Sequence, residues 1–199
     1  MSLTKSDREM WLIQSGWCKK RPSLNSGGFL FGSVKFFVLL CIMSNMEHQI
    51  NLEKIAEGFN ISVDAVKKFL NDGRIIGRLS EFIREEVRGS TRASSESSPY
   101  DVSDVINGRE EVRSISKNGI SFASSKEVGY GRVVTEEGFK EKLNSLDIYV
   151  AVDFRDIENL IFHEITKDEI VLLEKNGKLG KNKKMSAEKI YEFLNRRNK

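Results

Sequence analysis

Histidine and cysteine are nearly missing from this chain: 199 residues contain two of each, His48, His163, Cys18 and Cys41. A Ser-His-Asp triad or a histidine-rich metal site has little to draw on, so each histidine reads as structural or exposed. The cysteines lack metal-ligand spacing and Cys41 lies in an apolar run. Two reduced thiols of a cytoplasmic protein are expected, with a single disulfide as the other arrangement open to them. Long apolar runs are lacking too. Residues 36–43 are the most apolar stretch, far short of the roughly 20 residues that span a bilayer, and they read as a buried helix. No signal peptide is expected, because no N-terminal apolar core leads to a small-residue cleavage site. Nor is there a strong excess of charge: the net charge is +3, only mildly basic. Lys and Arg dominate residues 175–199 alone, a stretch expected to be a solvated helix or frayed end that attracts phosphate without reading sequence.

What is present describes a globular chain. Hydrophobic residues make up 39% and charged residues 31%, enough apolar content for one ordinary domain or two small ones. Two are expected, residues 1–78 and 79–199. Within the first, residues 52–70 resemble a helix-turn-helix: Ile55, Phe59, Ile61, Val66 and Phe69 fall where two crossed helices bury apolar groups, and Ala56 is small where they approach. Asn60 takes the turn position where Gly is frequent, and Asn also tolerates left-handed geometry. Ser62 caps the second helix, which in a DNA-binding unit would present Asp64, Ala65, Lys67 and Lys68 to the major groove. The other reading is a helical module for dimerisation or packing. Residues 74–76, between Gly73 and Gly77, read as an exit turn or short wing strand.

The chemistry concentrates in residues 99–114. Two strands, residues 100–105 and 110–116, meet across Asn107-Gly108, a pair suited to the positive φ values of a type I′ turn. Alternation along the second strand projects Glu111 and Arg113 to one face and buries Val112. Carboxylates beside a fixed cation suit a hard divalent metal and a phosphodiester. A strict two-residue turn places Asp104 opposite Glu111 and Asp101 opposite Ser114; a bulge restores Asp101.

This pattern resembles the PD-(D/E)XK nuclease superfamily, and especially its small homodimeric type II restriction endonucleases. Pro99 with Asp101 stands for the PD half, and Glu111-Val112-Arg113 for the (D/E)XK half, with Arg where Lys is usual. The superfamily order of helix, three antiparallel strands, helix and strand fits a helix at 79–87, the two strands above, and a third at 120–123 after the Asn118-Gly119 turn. A helix capped by Thr135, with Phe139, Leu143 and Leu146 on one face, and strands at 148–152 and 160–165 follow. Residues 89–98, rich in Ser, lie between as a linker-like loop.

The resemblance implies an α/β fold, a restriction-endonuclease-like mixed sheet flanked by helices, with a small N-terminal helix-turn-helix domain. It implies magnesium, with manganese able to substitute, held by Asp101, Glu111 and the Val112 carbonyl. Asp101, Glu111 and Arg113 would be catalytic, with Asp104 as the reserve ligand. Double-stranded DNA would be met by Lys67, Lys68, Ser116, Lys117, Ser124, Ser125, Lys126 and Arg132, with Tyr130 nearby, and a homodimer would cut both strands at a specific site. The rival expectation is a non-catalytic DNA-binding regulator with a decayed nuclease-like domain.

Overall fold

The computed structural model describes residues 45–95, 98–124, 126–127 and 132–197, which all belong to the compact unit 38–199. Expectations for Cys18, Cys41, the helix at 36–43, Ser125 and Tyr130 lie outside the described residues. In chain order the elements are β1 (Met46–Gln49), α1 (Leu52–Phe59), α2 (Val63–Leu70), α3 (Gly73–Arg88), β2 (Thr91–Arg92), β3 (Val102–Asp104), β4 (Gly108–Ser114), β5 (Ile120–Ser121), α4 (Glu136–Asn144), β6 (Ile148–Asp153), β7 (Asn159–Thr166), α5 (Lys167–Lys175), β8 (Lys184–Met185) and α6 (Ala187–Arg197). The fold is mixed α/β. Six strands form one mixed sheet in the order β1-β7-β6-β4-β3-β2. Only the central β4 and β6 run parallel.

Strand β6 explains the layering. All six of its residues are buried, as a strand covered on both faces requires. Ile148, Val150 and Val152 join one apolar cluster with residues of α1, α2 and α3. Tyr149 and Ala151 point the other way, into a second cluster with residues of α4, α5 and α6. The parallel neighbour β4 shares this alternation: Glu111 lies opposite Tyr149 and Arg113 opposite Ala151. The two residues of the triplet therefore sit on the α4 face, and Val112 is buried on the other.

The two-helix unit keeps its expected turn and loses its independence. Asn60 is left-handed (φ 52°) and Ser62 Oγ accepts the Ala65 N–H at 3.2 Å. However, Leu52, Ala56, Val66 and Leu70 pack in the same cluster as Val112, Val150 and Phe162 of the sheet. The boundary expected at 78/79 falls inside α3, which starts at Gly73 behind an Asp72 cap and takes in the residues read as a turn or wing strand. Phe59 and Phe69 are 75% and 61% exposed and Ile61 is also outside. Stripes spaced i, i+4 on each helix meet the sheet, so these three cannot turn inward as well.

Three further expectations are corrected. The linker-like stretch supplies β2, which pairs with β3. Residues 120–121 leave the main sheet and pair with β8, so its three consecutive antiparallel strands are β2, β3 and β4. The basic stretch carries the expected helix, α6, but not a wholly solvated one: Met185, Ile190 and Leu194 are buried in the second cluster. Its positive charges hid an i, i+4 apolar pair on α6. Among the described residues no helix is long and apolar enough to cross a membrane.

Candidate active site

The hairpin turn decides which aspartate reaches the site. Gly108 (φ +74°) pairs directly with Asp104, leaving three residues in the loop. Asp104 accepts the N–H groups of Ile106, at 2.7 Å, and Asn107, and so is spent on closing the turn. The expected two-residue turn is replaced because Asn107 turns inward, its amide donating to Glu110 and Glu164. The loop also slides back along the chain, from residues 107–108 to residues 105–107, and this shifts the register by three residues: Val102 faces Glu110, and Asp101 follows beside Glu111. Asp101 Oδ2 accepts the Val112 N–H at 2.8 Å, and the Asp101 N–H donates to Glu110 O at 2.9 Å. In an extended strand a residue's N–H and C=O point to the same edge, so the Val112 carbonyl also faces Asp101.

Glu111 is 3% exposed and carries a cation on each oxygen, Arg113 on Oε1 and Lys142 on Oε2. Lys142 comes from α4 and also donates to Pro99 O at 2.7 Å. Ser145 Oγ adds a weaker bond to the same carbonyl at 3.3 Å. Pro99 is thus the pin that fixes the entry to Asp101. A third carboxylate, Glu81 of α3, lines the cleft with Asp101 and Glu111; Arg78 holds it at 3.2 Å. Burial, reinforced by the charges of Glu111 and Glu81, pushes the Asp101 carboxyl up to about 6. Burial also raises Glu81, with Glu111 adding to it. Tyr149, opposite Glu111 on β6 and raised by burial and by Glu111, donates to Phe122 O at 2.6 Å.

Asp101, Glu111, Arg113 and Glu81 line a cavity of about 590 Å³ whose rim carries Arg74, Arg78 and Arg92. A second cavity, about 490 Å³, adjoins it and takes in Ser116 and Arg132. The remaining expected DNA contacts are not gathered there. Lys67 is paired with Glu158 at 3.2 Å, and Lys68 is exposed on α2. Lys117 is exposed in the turn closed by Ser116 and Gly119. Ser124 Oγ accepts the N–H of exposed Lys126 at 3.3 Å.

Lys142 and Glu81 escaped sequence reasoning, although each left a signal. Lys142 sits on the stripe of Phe139, Leu143 and Leu146, where an apolar residue is the default. Glu81 adjoins the buried row of Ile76, Ser80 and Ile83. Charge on a core-facing stripe was the mark of the site. Among the described residues no group of three or more His, Cys, Asp or Glu side chains is placed to hold a metal ion. No family model, curated protein or solved structure matches the chain.

Proposed function

We propose that the protein is a magnesium-dependent endonuclease that hydrolyses phosphodiester bonds of double-stranded DNA at a specific site, in the manner of a type II restriction enzyme. The observation that carries this reading is the convergence of Asp101, Glu111 and Arg113 on one arginine-rimmed cleft, with Lys142 of α4 paired to Glu111. Element order supports it: helix α3, antiparallel β2, β3 and β4, helix α4, then β6. The donor set suits magnesium, since Asp101, Glu111 and the Val112 carbonyl offer only hard oxygens. Crowding that raises the Asp101 carboxyl is what a divalent cation relieves. When bound, the metal would lower the pKa of water and neutralise charge on the phosphate.

The chain's own residues do the rest. Arg113 is a permanent guanidinium and serves as a clamp on phosphate, never as a base. Lys142 brings the ammonium that the Arg at position 113 displaces from the motif, from a helix rather than from the strand. Arg113 and Lys142 each take one lone-pair site of Glu111, so a second site on each oxygen is open to a metal. The described residues of one chain carry one such pair of carboxylates, so the active form on a symmetric site is a two-fold homodimer, which sedimentation on a cognate duplex reads out.

Incubation of unmodified plasmid with magnesium tests the function, with linear double-strand products expected. Lys142→Ala and Arg113→Ala should each lower the rate by about two to three decades, as loss of one preorganised donor does elsewhere, and Arg113→Lys should retain it. Parent-like cutting by Lys142→Ala would reduce Lys142 to a clip on Glu111. The full pairing of Glu111 favours one second reading, a DNA-binding regulator without catalysis, in which the parent binds duplex and never cuts it.

The two-helix unit contributes one free-standing prediction. With Lys67 engaged by Glu158, replacing both Lys67 and Lys68 by Ala should weaken duplex binding and flatten its salt slope by about one to two units. An unchanged slope assigns α1 and α2 to packing on the sheet alone.

A further inference from the structure

The second cavity is built from parts of the chain that are far apart in sequence, and its composition differs from the first. Gly73, Arg74, Arg113 and Ser114 line both cavities, so the two meet there. At that neck α3 touches β4: Ser114 Oγ donates to Gly73 O at 2.8 Å, and a Cβ on Gly73 would lie 2.7 Å from Ser114 Oγ. The first cavity holds three carboxylates of the candidate site. The second is lined by two: Asp72 is paired with Arg74 at 2.8 Å, and Glu127 accepts from Thr135 Oγ1 at 2.7 Å on one oxygen while its other, buried oxygen has no hydrogen-bond partner among the described residues.

Its far wall comes from the β5 and β8 pair, in which Ser121 faces Lys184. Lys183 is turned inward, bonded to Glu136 and Glu174 over the Phe139 ring. Its neighbours Asn182 and Lys184 line the cavity instead. Arg132 enters from the segment before α4, and Ser116 and Ser121 add hydroxyls. Cations and neutral donors around a polar hollow suit a phosphate group.

We propose that this second cavity is a positioning subsite for a backbone phosphate flanking the scissile one on the same strand, held by Lys184 and Arg132. The proposal rests on the nuclease reading and adds the path of the strand: from Asp101 and Glu111, past Arg113, toward β8. Lys184 and Arg132 contact the flank and not the reacting group, so they govern binding and alignment.

The test is fluorescence anisotropy of a labelled duplex bound to the full chain in calcium, across a salt series. Lys184→Ala with Arg132→Ala should weaken binding about tenfold or more and reduce the salt slope by about two, one counterion for each lost contact. Lys181→Ala removes an exposed lysine that lines neither cavity and should leave both quantities unchanged. Normal binding by the double variant, or an equal loss in Lys181→Ala, would overturn the subsite while leaving the nuclease reading intact. Failure of the parent to bind duplex at any salt would overturn both.

Discussion

Asp101→Asn is expected to abolish cleavage and to raise the melting temperature at pH 7.5. The two effects have one cause. In the folded chain the Asp101 carboxyl is raised from 3.8 to about 6, first by burial and then by Glu111. A group raised on folding stabilises the fold through its proton. That contribution is complete below about pH 4, falls as pH rises, and is gone above about pH 6. At neutral pH the ionised side chain therefore costs about 3 kcal/mol. Asn carries no charge and keeps an oxygen for the Val112 N–H, so about 1 to 3 kcal/mol should return, a rise of several degrees for a chain of this size. The gain should vanish near pH 4, where Asp101 is protonated. Thermal melts across pH 4 to 8 measure it; a variant no more stable than the parent at pH 7.5 would mean that Asp101 carries no strain. Metal affinity has the opposite slope: in the parent it should climb about tenfold per pH unit up to about 6 and then level off, as calorimetric titration with magnesium or manganese reads directly.

Arg84→Met should cause the largest loss of stability in this fold. Arg84 is fully buried, with Nε 2.9 Å from Glu110 Oε2 and Nη1 2.9 Å from Glu164 Oε1. Arg88 and the Asn107 amide complete the cluster. A well-made buried ion pair adds little net stability against an apolar replacement of the whole group, but removal of one partner leaves charge stranded in a low dielectric. The expected cost is about 3 to 5 kcal/mol, or roughly 6 to 20 °C. Glu110 is raised by burial even with Arg84 present to oppose it, and without Arg84 it moves further up. Its stabilising proton is then lost over a wider range as pH rises, so the deficit should be greater at pH 8 than at pH 5. Chemical denaturation at both pH values checks this. An equal deficit at both would place the damage in packing and not in the stranded carboxylate. The cluster bears on the proposed site because Asn107 and Glu110 are the groups that set the turn and hence the position of Asp101.

Much of the scaffold was legible because it obeys local rules. Thr135 and Ser62 are caps where short polar side chains precede amphipathic segments. The residues from Ile148 onward make a doubly buried strand because nothing polar interrupts them. Glu111 and Arg113 share a face because a strand alternates. The apolar positions Phe59, Ile61 and Phe69 misled, since amphipathicity shows that a face is buried somewhere and leaves open whether the partner is a helix or a sheet.

By itself, then, the sequence determined α1, α2, α4, β4 and β6, the caps at Ser62 and Thr135, and the placement of Glu111 with Arg113 on one side of a strand, for these follow from interactions within a few residues. Tertiary structure alone decided the rest. It drew the linker-like Thr91 and Arg92 into the sheet, set Asp101 and not Asp104 beside Glu111 by sliding the loop back to residues 105–107, and delivered Lys142, Glu81 and Lys184 from distant elements. Those choices depend on which buried polar groups find partners across the sheet, here Asn107 with Glu110 and Glu164, and that energy appears only when the strands have met.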